Sequence, residues 1–174
     1  MEIELLPPST GVAVVERVAG LVNQVYAESE KGLWRGSADR TSSEEVGGFV
    51  RNGEIAAAFV DGDLGGAVRI RRLDDVTGEF GMLAADPARR GLGVGRELVR
   101  FAEATSRDAG CRAMQLELLM PRDWTHPAKQ FLAEWYGRLG YRVTHRADFG
   151  EDYPHLAPLL ATPCDFLVWR KDLG

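Results

Sequence analysis

A glycine-rich turn set between a strand and a helix constrains this chain more than any other feature. The segment Asp86-Pro87-Ala88-Arg89-Arg90-Gly91-Leu92-Gly93-Val94-Gly95-Arg96 follows a strand-like run (residues 79–84) and precedes an amphipathic helical run (residues 96–107). Glycines at alternate positions let the backbone approach a ligand closely and turn successive N–H groups toward one point. The helix behind them adds amides with no intrahelical partner and the positive end of its dipole. With Arg89, Arg90 and Arg96 on its flanks, the turn is a cradle for a phosphate or pyrophosphate.

The strands before the turn narrow the choice. Residues 54–60 and 64–72 alternate with period two around Asp61-Gly62-Asp63, a hairpin signal, and residues 76–84 follow a second turn at Asp74-Asp75. Three antiparallel strands in a row are not the parallel βαβ units of a dinucleotide-binding fold. The glycine spacing disagrees as well. Counting Gly-x-Gly-x-x-Gly from Gly91 puts Arg96 at the third glycine position, and counting from Gly93 puts Leu98 there. No Gly-Lys-Ser/Thr triplet occurs, so a P-loop is excluded.

The rest of the chain reads as a mixed α/β arrangement. Residues 2–6 form a short strand ending at Pro7-Pro8, and Ser9 or Thr10 is placed to cap a helix with the stripe Val14, Val18, Leu21, Val22, Val25. Residues 29–42 read as a loop containing Trp34. Ser42 or Ser43, ahead of Glu44-Glu45, starts a second helix through Val46, Phe49 and Val50. After the glycine turn come a helix, a strand (113–119), a helix (128–139) and two strands (141–145 and 165–171). A Pro-containing segment (153–163) links the last two. The order is β-α-α-β-β-β-α-β-α-β-β.

Composition bounds the partners. A chain of 174 residues suffices for one well-cored domain, and 21 basic against 26 acidic residues argue against a protein that coats nucleic acid. Cys111 and Cys164 have no metal-ligand spacing with each other or with the three histidines, so both read as small buried thiols and no metal is expected. The first ten residues lack a basic and apolar leader, and no apolar run approaches the roughly 20 residues that span a bilayer. A soluble cytoplasmic protein with no membrane partner is the expectation.

Element order and turn together resemble the GNAT superfamily of acetyl-CoA-dependent N-acyltransferases. The resemblance covers nearly the whole chain, residues 1–174, as a single domain. Its sharpest parts are Arg-x-x-Gly-x-Gly, met by Arg90, Gly93 and Gly95, and Tyr136-Gly137-Arg138-Leu139-Gly140-Tyr141, which is similar to the family's Tyr-x-x-x-Gly-aromatic segment. The resemblance implies a mainly antiparallel mixed sheet of about seven strands flanked by about four helices. It implies acetyl-CoA as cosubstrate. The amides of Gly91, Leu92, Gly93, Val94, Gly95 and Arg96 would hold its pyrophosphate, and the backbone edge of Met82, Leu83 and Ala84 would pair with the pantetheine arm. A bulge is expected near Gly81, splaying this strand from its neighbour. Many relatives carry Asn seven residues before the helix tyrosine, where this chain has Lys129, an ammonium placed to reach the CoA phosphates. Many relatives also form a homodimer, although no sequence feature here fixes the oligomeric state.

The catalytic candidates follow from the chemistry. A departing thiolate needs a proton or a hydrogen bond, and the family position for that hydroxyl falls on Tyr136; otherwise Tyr136 is a buried aromatic beside Trp135. An attacking amine must lose a proton, and Glu79 and Glu117 are the carboxylates on strands next to the slot; otherwise both point outward. Glu117, between Leu116 and Leu118, sits in an apolar setting that would raise its pKa. In this family the acceptor pocket draws on regions that here contain Glu28, Trp34, Trp124 and His126, with Tyr153 and His155 near the end. Carboxylates mixed with aromatics suit an amine or a cation, though Trp34 and Trp124 could equally plug loops and His126 could equally cap a helix. The expected reaction is direct attack of a primary amine on acetyl-CoA. Alternatives are a domain that binds acyl-CoA without turnover and a transferase acting on a protein N-terminus or lysine.

Overall fold

The computed structural model describes residues 1–36 and 38–174; Ser37, inside the expected loop, lies outside them. The chain runs β1 (Glu2–Leu5), α1 (Val12–Ser29), α2 (Ser43–Arg51), β2 (Ile55–Val60), β3 (Asp63–Arg72), β4 (Thr77–Ala85), α3 (Val94–Asp108), β5 (Ala113–Pro121), α4 (Pro127–Arg138), β6 (Arg142–Ala147), α5 (Phe149–Asp152) and β7 (Cys164–Asp172). The strands make one sheet in the order β1-β2-β3-β4-β5-β7-β6. Every neighbouring pair is antiparallel except β4–β5. This is the α/β sheet that the element order implied, with the addition of α5.

The β4–β5 pairing creates the functional opening. It is parallel and covers only Thr77↔Ala113, Gly78↔Met114 and Glu79↔Gln115. Beyond Glu79 the two strands part, so β4 from Phe80 to Ala85 is hydrogen-bonded on its β3 side alone. The splay and a bulge near Gly81 were expected, and the distortion falls on the residues immediately after that glycine. The β3–β4 register shifts between Ala67 and Arg69, and the residue driven into the left-handed region is Met82, at φ 50°. A non-glycine residue there is strained, which marks a position that the surrounding packing enforces.

Local chemistry explains most element ends. Ser42 caps α2 by accepting from the Glu45 amide (3.1 Å), with Glu44 and Glu45 in the first turn. The α1 cap departs from expectation. Gly11 occupies the N-cap without a side-chain bond, because the Thr10 hydroxyl turns back to donate to the Pro7 carbonyl (2.6 Å). Asp148 accepts from the Gly150 amide (2.7 Å) and so nucleates α5 in a stretch read as a plain connection.

Side chains cover both faces. Helices α3 and α4 bury Val94, Leu98, Val99, Ala102 and Tyr136 against Val68, Phe80, Met114, Leu116 and Leu118. On the other face α1 and α2 bury Val15, Val18, Val22, Val46 and Val50 against Ile55, Ala57, Ala67 and Ala84. A third cluster, Leu33, Leu119, Phe149 and Phe166, lies under the loop after α1 and the 148–163 segment. Helix α3 sits unusually low on β3: a Cβ at Gly66 would come within 2.7 Å of Val94 Cγ1 and 2.8 Å of Leu98 Cδ1. Cys111 is buried as expected, whereas Cys164 is only half-buried.

Candidate active site

The glycine turn ends in a built anion cradle. Gly91 (φ 88°) and Gly93 (φ 76°) occupy the left-handed region, and Gly93 is the N-cap of α3. The helix therefore starts at Val94, two residues earlier than the apolar pattern suggested. This brings the Val94, Gly95 and Arg96 amides to its N-terminus, where none has an intrahelical acceptor. Leu92 does not join them, since its amide donates to the Arg89 carbonyl (3.3 Å). The three arginines also separate. Arg89 is folded back toward Asp63 (3.3 Å) and Asp86 (3.9 Å), so it braces the turn from behind. Arg96 is exposed and lies 3.5 Å from Glu97. Arg90 is exposed and makes no ion pair among the described residues. The cradle fits a pyrophosphate through amides first and through Arg90 and Arg96 second.

From the cradle, the free edge of Met82, Leu83 and Ala84 runs toward the splay, and Tyr136 waits at its end. Tyr136 is 6% exposed and packs on Phe80 (centroids 6.0 Å) and Tyr141 (6.2 Å). The two tyrosines of the motif do different things. Tyr141 donates to Glu103 (2.8 Å), which also holds Lys171, while Tyr136 makes no side-chain hydrogen bond among the described residues. Burial, and secondarily the nearby Tyr26, push the Tyr136 hydroxyl far above its ordinary range. It is thus a phenol that stays protonated and has a proton to offer.

Tyr26 gave no sequence signal beyond its place on α1. Its ring packs with Met82, and the Arg40 guanidinium lies 5.2 Å from the ring centroid. Burial raises its pKa, against the pull of Arg40 and the Met82 amide. Tyr26 thus sits beside the strained residue and close enough to Tyr136 to influence its hydroxyl. Only long-range contacts reveal this, because 110 positions separate them in sequence.

Glu79 and Glu117 lie on the sheet face opposite Tyr136, and they are not equivalent. Glu79 is buried and its carboxylate is engaged by Arg71 Nε (2.7 Å) and Gln115 Nε2 (3.2 Å). Glu117, two residues beyond the last β4–β5 pair on β5, is half-buried and among the described residues receives only the Tyr153 hydroxyl, at 3.2 Å on Oε2. Burial raises its pKa, the Glu79 charge adds to that, and Tyr153 and Arg71 oppose it. Of the two carboxylates, Glu117 has the free lone pairs and the reluctance to ionise that suit a proton acceptor.

The residues expected around the acceptor come together unevenly. Glu28 is exposed at the end of α1. Trp34 packs edge-on to Phe149 (5.8 Å), donates from its indole to Glu30 (2.7 Å) and bridges to Leu160. Trp124, still 41% exposed, donates to Thr162 (3.1 Å) and lies against His126 (5.3 Å). His126 is buried, and its Nε2 pairs with the Lys31 carbonyl (3.0 Å). These contacts tie the loop after α1 to the loop before α4. They close one wall of the slot and leave His126 a bracing role.

Lys129 likewise differs from its expected role. It is 3% exposed and its ammonium sits on Glu30 Oε1 (2.8 Å). Burial raises the Glu30 pKa, but Lys129 and the Trp34 N–H overcome it and the net shift is downward. Lys129 thus points to the acceptor loop, with an internal carboxylate in place of the phosphates. The Cys164 thiol, pushed by burial up to about 11, stays protonated and is no nucleophile. A separate cavity of about 540 Å³ lies under the 148–163 segment, lined by Arg122, Arg146, Asp148, Phe149 and Asp165 among others, and none of the cradle residues, Glu79, Glu117 or Tyr136 borders it.

The family model for the acetyltransferase (GNAT) family matches residues 22–141, which contain the cradle, the splay and Tyr136. The chain belongs to the GNAT acetyltransferase family. This GNAT protein is accordingly an acyltransferase, with acetyl-CoA as its cosubstrate. Its fold recurs in solved structures. An aminoglycoside 6'-N-acetyltransferase complexed with coenzyme A superposes with TM-score 0.75 at 16% identity, over 100% of this chain and 98% of that one. The aminoglycoside 6'-N-acetyltransferase from Enterococcus faecium gives 0.72 at 16% identity, with the same coverage. N-acetylglutamate synthase from Neisseria gonorrhoeae gives 0.66 at 17% identity, over 99% of this chain but 35% of its own. Identities this low speak for the fold alone. No curated protein matches the sequence significantly. No helix among the described residues is long and apolar enough to cross a membrane.

Proposed function

We propose that this GNAT domain, spanning residues 1–174, acetylates a primary amine of a small cationic molecule by direct attack on acetyl-CoA. One observation carries the reading. At the splay, the alternation along β5 puts Leu116 and Leu118 on the Tyr136 side of the sheet and Glu117 on the other, so a candidate acid and a candidate base flank the opening from its two faces. A thioester lying along the β4 edge would pass between them. Glu117 takes a proton from the ammonium, the free amine attacks the acetyl carbon, and a C–N bond forms. As the C–S bond breaks, the attacking nitrogen releases its second proton to solvent, and Tyr136 either hydrogen-bonds the thiolate or protonates it and regains a proton from solvent. The products are an amide and a free thiol, with no covalent enzyme intermediate.

A small acceptor is favoured by the closed wall from Trp34 to Leu160, and a cationic one by the half-buried Glu117 carboxylate. The two full-length structural matches named for aminoglycoside acetylation agree with both preferences. A thiol-release screen with acetyl-CoA over polyamines, amino acids, aminoglycosides and short peptides tests the reading. Release with small cationic amines is expected. Release with peptides alone would transfer the activity to a protein acceptor. Tight acetyl-CoA binding with no release on any amine would make the domain a sensor.

A further inference from the structure

The only protein donor to Glu117 among the described residues comes from outside the sheet, on the 148–163 segment. Tyr153 follows α5 and is held in place by its ring, stacked on Phe149 (5.1 Å, 29°) and edge-on to Phe166 (5.6 Å, 89°). Its segment is stitched to the loop after α1 by Arg35 N–H to Leu159 O (2.7 Å) and Ala161 N–H to Leu33 O (2.8 Å). The hydroxyl therefore reaches Glu117 from a rigid mount. At 3.2 Å the contact is longer than the 2.5–2.7 Å typical of a hydroxyl on a carboxylate, leaving room for it to tighten when the slot fills. Oε1 of Glu117 remains free for an incoming ammonium.

We propose that Tyr153 is a positioning residue, whose hydroxyl fixes the Glu117 carboxylate toward the acceptor and eases its ionisation. The inference rests on the reading of Glu117 as the base. The charged groups facing Glu117 are Arg71 on β3, Glu79 on β4 and Asp152 on α5; its β7 partner, Val168, brings no charge. Arg71 is committed to Glu79, and Asp152 and Glu79 both disfavour a second carboxylate. Tyr153 is thus the one group that stabilises the ionised form by a direct hydrogen bond. The segment that shapes the acceptor wall thereby also tunes the base.

Tyr153→Phe isolates the hydroxyl, since the ring packing survives. Carboxyl ¹³C resonances of glutamate-labelled protein would be followed from acid to neutral pH, with Glu117 assigned by its absence in Glu117→Gln. The titration midpoint of Glu117 should rise in Tyr153→Phe, making it a roughly three- to tenfold weaker acid. The acid limb of kcat/KM for the fastest amine should move up with it. An unchanged midpoint overturns the proposal and leaves Tyr153 a packing residue. Glu117→Gln tests the underlying reading separately: if it keeps the wild-type acid limb, Glu117 is not the base, whatever Tyr153 does to its titration.

Discussion

Replacing Lys129 gives the most demanding test of the architecture. The Lys129–Glu30 pair is 3% and 10% exposed, at 2.8 Å, and joins α4 to the loop after α1. Two charges this deep attract strongly but pay heavily in lost hydration, so the pair as a unit contributes little net stability. Removing one member is different, because it strands the other. The structure orders the two single variants. In Lys129→Met, Glu30 keeps the Trp34 indole N–H at 2.7 Å. In Glu30→Gln, the ammonium loses its one carboxylate partner among the described residues. We expect a loss of about 3 kcal/mol for Lys129→Met and up to about 5 kcal/mol for Glu30→Gln. For a chain of this size that is a fall in Tm of roughly 6–20 °C. The double variant should lose no more than about 5–6 kcal/mol instead of the additive sum of about 8, a coupling of about 2–3 kcal/mol. Urea unfolding followed by tryptophan fluorescence measures all four proteins. The pH dependence adds a sign. Glu30 has a lowered pKa in the fold, so its contribution is present above the ordinary carboxylate pKa and is lost as pH falls through the lower folded value. The gap between wild type and Lys129→Met should therefore narrow in acid. Single variants within about 1 kcal/mol of wild type, with no coupling, would mean that water reaches the pair, and the argument from burial would be wrong.

Other outcomes are simpler to state. Tyr136→Phe should lower kcat by about 10²- to 10⁴-fold while leaving the Kd for CoA and the Tm nearly unchanged, as no protein hydrogen bond is lost; equal turnover would return Tyr136 to the core. Gly93→Val should raise the KM for acetyl-CoA sharply and cost about 1–2 kcal/mol of stability, because a β-branched residue resists φ 76°. Arg90→Ala should weaken CoA binding and reduce its salt dependence, measured by calorimetry at two ionic strengths, whereas Arg89→Ala should lower Tm through the lost Asp63 and Asp86 contacts.

Local signals in the sequence reach far into this fold and then stop. The hairpin at Asp61-Gly62-Asp63, the glycine cradle and the Ser42 cap depend on neighbours in the chain, and each stands where its residues predict. Asp148 carried the same kind of signal for α5, but the four-residue helix lies just ahead of the Pro-containing link, in residues assigned to no element. What sequence could not supply was pairing at a distance. The strain falls on Met82 and not on Gly81 because α1 packs there, with Tyr26 against Met82. Lys129 and His126 look like surface residues on a helix start, yet Glu30 and the Lys31 carbonyl lie about a hundred positions earlier. Likewise, only the fold reveals that Glu79 is occupied by Arg71 and Glu117 by Tyr153.

Gly66 carries no chemistry of its own, yet its neighbours Val94 and Ala84 let it set the scale on which the site works. The missing side chain lets α3 settle against β3, and the amides at the start of α3 settle with it. Under the proposed function, the distance from those amides to Tyr136 has to match the length of a pantetheine arm, so the gap under one helix would act as a ruler for the donor. Adding a single methyl there would lift the anchor while leaving every reacting group intact. On the proposed roles, a remote position in the sheet would govern whether a bound thioester arrives at the acid or falls short of it.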